Sequence, residues 1–150
     1  MTGPLAPDQI EAAFLAACWG ELAALKPGNV HRYSPGHGME VAHFERAAEA
    51  AAGPIAEPAA SVGKRILRAT EASVAATGLN TNLGIVLLAA PLAKAAAETT
   101  LEIGLRRRLG QILSELDVRD AEDAFAAIRL ANPAGLGTAE EATFAIPKNP

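Results

Sequence analysis

The sequence predicts an all-α fold, with one compact domain of about six helices spanning residues 1–150. Half of the residues are apolar, and 35 of the 150 are alanine, whereas valine, isoleucine and threonine together number only 22. Alanine has the highest helix propensity, and the β-branched residues that favour pleated sheets are scarce. Because only four Phe, one Tyr and one Trp are present, the core is expected to consist of small side chains between closely packed helices.

Charge and cysteine content exclude several classes of protein. The 13 Lys and Arg residues against 17 Asp and Glu residues give a net charge of −4, which fits neither a basic nucleic-acid-binding surface nor an acidic disordered tail. Cys18 is the single cysteine, and a free thiol is typical of a reducing compartment. The longest apolar run, residues 83–93, is shorter than the ~20 residues that cross a bilayer. The N-terminus does not resemble a signal peptide, so the prediction is a cytoplasmic protein without nucleic-acid or membrane partners.

The first helix is predicted to begin at Pro7, because proline suits the first turn of a helix, and to end at residues 27–28. Apolar residues recur within it every three or four positions and so share one buried face. These residues are Ile10, Phe14, Cys18, Leu22 and Leu25. A second helix is predicted over residues 39–52, and Gly53 followed by Pro54 is expected to end it.

The third and fourth helices are predicted on either side of a polar break at residues 80–82. Ser61 is a favourable N-cap for the third helix. Its predicted buried stripe is Val62, Ile66, Ala69 or Thr70, and Ser73, beside the exposed Lys64, Arg65 and Arg68. The fourth helix is apolar on all sides, so it is expected to lie in the middle of the domain, with a kink or restart at Pro91.

The last two helices are predicted over residues 100–116 and from Asp117 onwards. Asp117 is a favourable N-cap for the sixth helix. Phe125 and Ile128 are expected to face inward, and residues 132–135 are expected to end this helix.

Three polar loops interrupt the helices with residue types that helix formation alone does not require: residues 26–32, 80–84 and 132–137. The first presents a lysine, an amide, an imidazole and a guanidinium around a Pro-Gly turn. This set suits a phosphate, with lysine as a point charge, arginine as a planar fork and glycine exposing backbone donors. An ordinary helix C-cap followed by a solvated loop is the alternative.

The second loop, Asn80, Thr81 and Asn82, directly precedes the fourth helix. Unpaired backbone donors at a helix N-terminus favour a phosphate or a ribose hydroxyl there. The alternative is that one of the three side chains only caps the helix. Asn132 in the third loop has a stronger alternative, because Asn-Pro is an ordinary helix-ending sequence.

Glu21 lies near the C-terminal end of the first helix, where the helix dipole disfavours a carboxylate. Its presence there favours a partner such as Mg²⁺ or Lys26, and a solvated surface glutamate is the alternative. The three histidines are six residues apart and do not have the spacing of a helix-borne zinc site. The chain contains no Walker loop, no Rossmann fingerprint and no nucleophile elbow.

The polar loops resemble, in order, the signatures of the triphosphoribosyl-dephospho-coenzyme A synthase family. Residues 26–32, KPGNVHR, resemble its N-terminal signature, and residues 80–93, NTNLGIVLLAAPLA, resemble its second signature. Residues 127–133, AIRLANP, and the GLG at 135–137 are similar to a third stretch in the synthase-like branch. Ala134 stands where glycine is more usual. The resemblance covers nearly the whole chain.

This resemblance implies an all-helical enzyme with ATP and 3′-dephospho-coenzyme A as its small-molecule substrates and Mg²⁺ as its cofactor. The ribose C1′ of ATP is joined to the ribose 2′-hydroxyl of the acceptor, and adenine is released. Family members are usually close to twice this length. The resemblance therefore also implies that the chain is the N-terminal half of a larger all-helical enzyme.

Carried onto this sequence, the resemblance implies candidate site residues. Glu21 and His31 are the catalytic candidates, and Glu21 is also the candidate metal ligand. The candidates for nucleotide binding are Lys26, Gly28, Asn29, Arg32, Asn80, Thr81, Asn82 and Asn132.

Two other interpretations stay open. One is a truncated or split, non-catalytic helical domain that binds nucleotide, forms a homo-oligomer or associates with the missing C-terminal half. An exposed apolar patch would favour this interpretation. The other keeps the ATP chemistry and changes the acceptor, which no residue of the sequence identifies.

Overall fold

The computed structural model describes residues 3–25 and 39–133, and within these residues the predicted all-α class is confirmed. The helices are α1 (Pro7–Ala23), α2 (Val41–Ala56), α3 (Val62–Thr77), α4 (Leu83–Ala97), α5 (Leu105–Ser114) and α6 (Val118–Ala131). These two ranges contain no β-strand, and none of their helices is long and apolar enough to span a membrane.

Small side chains form the core, as the composition predicts. Among the described residues, 12 of the 22 buried apolar side chains are alanine. Larger side chains such as Phe14, Ile55 and Ile112 fill the space between the helices. Because alanine adds little bulk, such a core allows the backbones of neighbouring helices to approach one another closely.

Two helix starts are capped by the residues that the sequence predicts. Ser61 Oγ accepts a hydrogen bond from the Lys64 amide at 3.3 Å, and Asp117 Oδ1 accepts one from the Asp120 amide at 3.0 Å. The predicted buried stripe of α3 is also confirmed: Val62, Ile66, Ala69, Thr70 and Ser73 are all buried. Local capping and periodicity rules are therefore sufficient to place α3 in the core.

The predicted end of the second helix is wrong, because α2 continues through Gly53 and Pro54 to Ala56. Ile55 and Ala56 are buried in the core, so packing outweighs the hydrogen bond that the proline cannot donate. The carbonyl group of Ile55 accepts a hydrogen bond from Arg65 Nη1. Tertiary contacts thus extend the helix beyond the residues that usually end one.

Arg65 is buried, contrary to its predicted exposure, and only 2% of its surface is accessible. Besides its bond to Ile55, its Nε donates to the Ala60 carbonyl oxygen at 3.2 Å. These bonds replace water around the guanidinium and satisfy a carbonyl group in the last turn of α2. Burial lowers the pKa of Arg65, and the carboxylates of Glu57 and Glu98 oppose this shift.

Two apolar side chains, Leu25 and Phe125, lie outside the core despite their predicted inward positions. Leu25, which is 73% exposed, lies beyond the end of α1. Phe125 is 60% exposed, whereas Ala127 and Ala131 on the same helix are buried. Leu88 of α4 is also exposed, at 72%, although this helix is apolar on all sides.

α4 is nevertheless the central helix, because it contacts all five of the other helices. It continues through Pro91 without a restart. Beyond its end, Glu98 forms ion pairs with Lys94, at 2.7 Å, and with Arg108 of α5. α5 begins at Leu105, later than predicted. The central position is thus confirmed, and an ion pair joins α4 to α5.

An apolar cavity of about 260 Å³ lies between α1 and α4. Its lining is formed by Leu5, Ile10, Ala13, Phe14, Ala17, Ile55, Ala89, Leu92, Ala93, Ala96 and Leu105. Small side chains on both helices leave this space unfilled.

α3 and α6 are in backbone contact at Gly63. A Cβ atom on this residue would lie 2.6 Å from the Cα atom and 2.7 Å from the carbonyl oxygen of Asp120. The Gly63 amide donates to Asp120 Oδ1 at 2.7 Å. The other oxygen of the same carboxylate accepts from the Asp117 amide at 3.4 Å. One side chain therefore links the starts of α3 and α6.

Replacing Gly63 by alanine is expected to lower the free energy of unfolding by about 1–3 kcal/mol, because the backbone of α6 must move away from the new methyl group. Urea denaturation followed by circular dichroism measures the change. The matched control is Gly110→Ala in α5, where a Cβ atom meets nothing within 4 Å. This control is expected to raise the free energy of unfolding by about 0.5–1 kcal/mol. Equal effects of the two substitutions would contradict the close contact.

Candidate functional site

The directions of the helices determine where the predicted polar loops lie. The Leu5 amide, just before α1, donates to the Ala96 carbonyl oxygen near the end of α4 at 2.9 Å. Further along α1, Ala17 lines the same cavity as Ala89 of α4. The two helices therefore run antiparallel, and α1 ends at the end of the domain where α4 begins.

α2 and α3 are also antiparallel. Ser73 Oγ, late in α3, donates to the Ala47 carbonyl oxygen, early in α2, at 3.1 Å, whereas Arg65, early in α3, bonds to Ile55 late in α2. Only residues 78–82 separate the end of α3 from the start of α4. α3 therefore ends at the end of the domain where α2 and α4 begin.

α6 runs in the same direction as α3. The contact between Gly63 and Asp120 joins the starts of the two helices. Further along both helices, the charge of Asp123 favours the charged form of Arg68. α6 therefore ends on the same side of the domain as α3.

We call the loop end the end of the domain at which α1, α3 and α6 terminate and α2 and α4 begin. Glu21 lies in the last turn of α1, residues 80–82 join α3 to α4, and Asn132 follows α6. All the candidate residues that the structure describes therefore belong to the loop end. Fold topology alone brings these separate parts of the sequence to one side of the domain.

The other candidate site residues lie outside the described residues: Lys26, Gly28, Asn29, His31 and Arg32. Leu25 follows α1 and Met39 precedes α2, so the described residues on either side of this segment lie at the loop end. The roles of these five residues stay predictions.

The start of α4 lacks the side-chain cap that the starts of α3 and α6 have. Asn82 is the N-cap residue and is 7% exposed, but its side chain makes no capping hydrogen bond. Its Nδ2 atom and Thr81 Oγ1 are buried and have no hydrogen-bond partner among the described residues. The side chain of Asn82 therefore does not cap α4, contrary to the alternative interpretation.

Backbone donors at the start of α4 are a further feature, which sequence reasoning did not assign to particular residues. The first intrahelical hydrogen bond runs from the Val86 amide to the Asn82 carbonyl oxygen at 3.0 Å. The amides of residues 83–85 therefore have no acceptor within the helix. Gly84 is exposed, and no atom lies within 4 Å of its Cβ position. Glycine at the second position of a helix is the signal that marks this open backbone.

Glu21 acts electrostatically on Cys18, one turn earlier in α1. Burial raises the pKa of the Cys18 thiol to about 11, and the negative charge of Glu21 adds to the rise. Glu21 is half-buried. It therefore adds a negative charge at the loop end, close to the core.

Asn132 has a conformational role in the structure. It adopts the left-handed conformation, with φ of 39°, and its amide donates to the Ile128 carbonyl oxygen at 3.1 Å. This is the ordinary role of asparagine at the end of a helix. It is exposed, and its proposed nucleotide contact stays a prediction.

A multidentate protein site for a metal ion is not found in residues 3–25 and 39–133, because they contain no suitable group of three or more His, Cys, Asp or Glu side chains. Mg²⁺ commonly binds through one or two carboxylates together with substrate phosphates and water. Glu21 by itself therefore suits Mg²⁺ only when a phosphate ligand accompanies it.

The stability of the domain is expected to fall as the pH rises from about 9 to about 11. In this interval the unfolded chain loses the thiol proton near its ordinary pKa of 9.0, whereas the folded chain retains it. The loss is roughly 2 kcal/mol, measured by urea denaturation at several pH values. Cys18→Ser removes the ionisable thiol and is expected to flatten this dependence. Glu21→Gln is expected to make the free energy of unfolding depend less steeply on pH. The same pH dependence in the unmodified protein, Cys18→Ser and Glu21→Gln would contradict the electrostatic contact.

Residues 7–149 match the model of a protein family described as ATP:dephospho-CoA triphosphoribosyl transferase (CitG). The match includes every candidate site residue and confirms the resemblance that the polar loops indicate. No curated protein and no solved structure matches the chain.

Proposed function

This chain belongs to the ATP:dephospho-CoA triphosphoribosyl transferase family, and from that membership we propose that it transfers the triphosphoribosyl group of ATP to 3′-dephospho-coenzyme A. The bond between the ribose C1′ and adenine breaks, and C1′ forms a bond to the ribose 2′-oxygen of the acceptor. The hydroxyl proton passes to a base, and the departing adenine takes up one proton, so that it leaves as the neutral base and the protons balance. The family match over residues 7–149 carries this proposal.

The reaction requires positive charge and hydrogen-bond donors around a triphosphate that stays attached to the ribose. Lys26 and Arg32 provide the charge in this proposal, and Gly28 and Asn29 provide donors beside them. The start of α4 provides further donors at the loop end. The arrangement of the helices supports this assignment, because the described residues that flank the first loop lie at the same end as residues 80–82.

The acceptor hydroxyl must lose a proton as the new bond forms. We assign this role to Glu21 or His31, because a carboxylate or an imidazole accepts a proton near neutral pH. A carboxylate also stabilises the positive charge that develops at C1′ as adenine departs. Asn132, on the exposed edge of the loop end, is the remaining candidate for a nucleotide contact.

Mg²⁺ is the proposed cofactor, with Glu21 as its protein ligand. When bound, the ion neutralises part of the charge of the triphosphate. The described residues suit this mode of binding, in which most ligands come from phosphate oxygens and water, better than they suit a site built from protein ligands alone.

A second candidate function is that of an interaction domain, and exposed apolar side chains favour it. Leu88, Leu101, Val118 and Phe125 are each at least 60% exposed. Such residues, when contiguous, mark surfaces for protein partners, including a second copy of the chain. Size-exclusion chromatography with light scattering tests this candidate. A monomer at all concentrations would contradict self-association, whereas a dimer would support it.

The proposed reaction predicts that the protein releases adenine when it is incubated with ATP, Mg²⁺ and 3′-dephospho-coenzyme A. Chromatography with ultraviolet detection measures the free base. Replacing Lys26 by alanine is expected to slow the release by about 10- to 100-fold, because a charge-assisted hydrogen bond to phosphate is lost. Omitting the acceptor separates transfer from simple hydrolysis of ATP.

Lys64→Ala is the matched control, because Lys64 is exposed at the start of α3, opposite the loop end. This variant is expected to release adenine at the rate of the unmodified protein. A fall in Tm for Lys26→Ala, with no change in its affinity for ATP, would indicate a structural role instead. Absence of adenine from the unmodified protein would overturn the proposed activity.

A further inference from the structure

The fold leaves two buried polar atoms unpaired at one place, Thr81 Oγ1 and Asn82 Nδ2. An unpaired buried polar group lowers the stability of a folded protein. Elsewhere the fold does pair its buried hydroxyls: Thr70 donates to the Ile66 carbonyl oxygen at 2.8 Å, and Ser73 donates to Ala47 at 3.1 Å. The unpaired atoms at the start of α4 therefore point to a ligand that completes their hydrogen bonds.

The unpaired groups at this place are all able to donate hydrogen bonds. The amides of residues 83–85 have no acceptor within α4, and the Thr81 hydroxyl and the Asn82 amide nitrogen add two side-chain donors. No acidic residue lies in the first turn of α4, and the space around Gly84 is open. The positive end of the helix dipole adds to the attraction for an anion.

We propose that Thr81 and Asn82 form a phosphoryl subsite, in which their side chains and the first amides of α4 donate to the oxygens of a polyphosphate chain. The choice of ligand rests on the proposed function. A phosphoryl group accepts hydrogen bonds and carries negative charge, so it matches a set of donors. An amide nitrogen and backbone amides do not coordinate a cation, and the edge of a nucleobase requires acceptors as well as donors. The polyphosphate is either the triphosphate of ATP or the diphosphate of 3′-dephospho-coenzyme A.

Thr81→Val and Asn82→Leu test the subsite, because each replaces an unpaired polar group with an apolar group of similar size. A capping or packing role predicts a lower Tm for these variants. A ligand-binding role instead predicts that the Tm of the free protein is unchanged or higher. It also predicts that both variants bind polyphosphate more weakly. The matched control is Thr70→Val, which removes a buried hydroxyl that already has a partner.

Isothermal titration calorimetry with inorganic triphosphate, without Mg²⁺, measures binding at the subsite alone. The unmodified protein and Thr70→Val are expected to bind with the same Kd. Thr81→Val and Asn82→Leu are each expected to raise the Kd by about tenfold or more. Failure of the unmodified protein to bind triphosphate would overturn the proposal. Unchanged affinity in both variants, or an equal loss in Thr70→Val, would also overturn it.

Titrations with ATP and with 3′-dephospho-coenzyme A identify the source of the polyphosphate. A loss of affinity for ATP alone assigns the subsite to the triphosphate, and a loss for 3′-dephospho-coenzyme A alone assigns it to the diphosphate. A loss of affinity for neither ligand overturns the subsite.

Adenine release is measured separately. A protein that binds triphosphate through Thr81 and Asn82 without releasing adenine would retain the subsite and refute the proposed reaction.

Discussion

The close packing of α3 against α2 and α6 is the constraint on which the arrangement of the domain depends. Gly63 allows backbone contact with Asp120, and the Arg65 guanidinium joins the end of α2 to the start of α3. These contacts make α2 antiparallel and α6 parallel to α3. With the helices in these directions, polar segments from distant parts of the sequence are brought to one end of the domain.

Local sequence rules predict those parts of the fold that depend on neighbouring residues. The caps at Ser61 and Asp117 and the buried stripe of α3 follow from short-range hydrogen bonding and helical periodicity. The same rules fail at Pro54 and Arg65. The helical turn that contains Pro54 and the burial of Arg65 both depend on contacts between α2 and α3, such as the bond from Arg65 to the Ile55 carbonyl oxygen, and no pattern within a single helix contains that information.

For the candidate site, the sequence predicts where polar residues interrupt the helices, whereas the roles of these residues stay predictions. The sequence identified residues 80–82 as a polar break before an apolar helix, and the structure places this break at the loop end with Glu21 and Asn132. Sequence reasoning could not separate capping from ligand binding at Asn82, because both roles favour the same residue type at the same position. Only the atomic contacts show that its side chain does not cap α4.

The hydrogen bonds of Arg65 also bear on the order in which the domain assembles. Its two acceptors lie 5 and 10 positions earlier in the chain, so both bonds close short loops at a small cost in chain entropy. During synthesis, α2 and α3 emerge before the residues of α4, α5 and α6 have been made. The pair is therefore suited to form an early hairpin, onto which the later helices dock as they leave the ribosome.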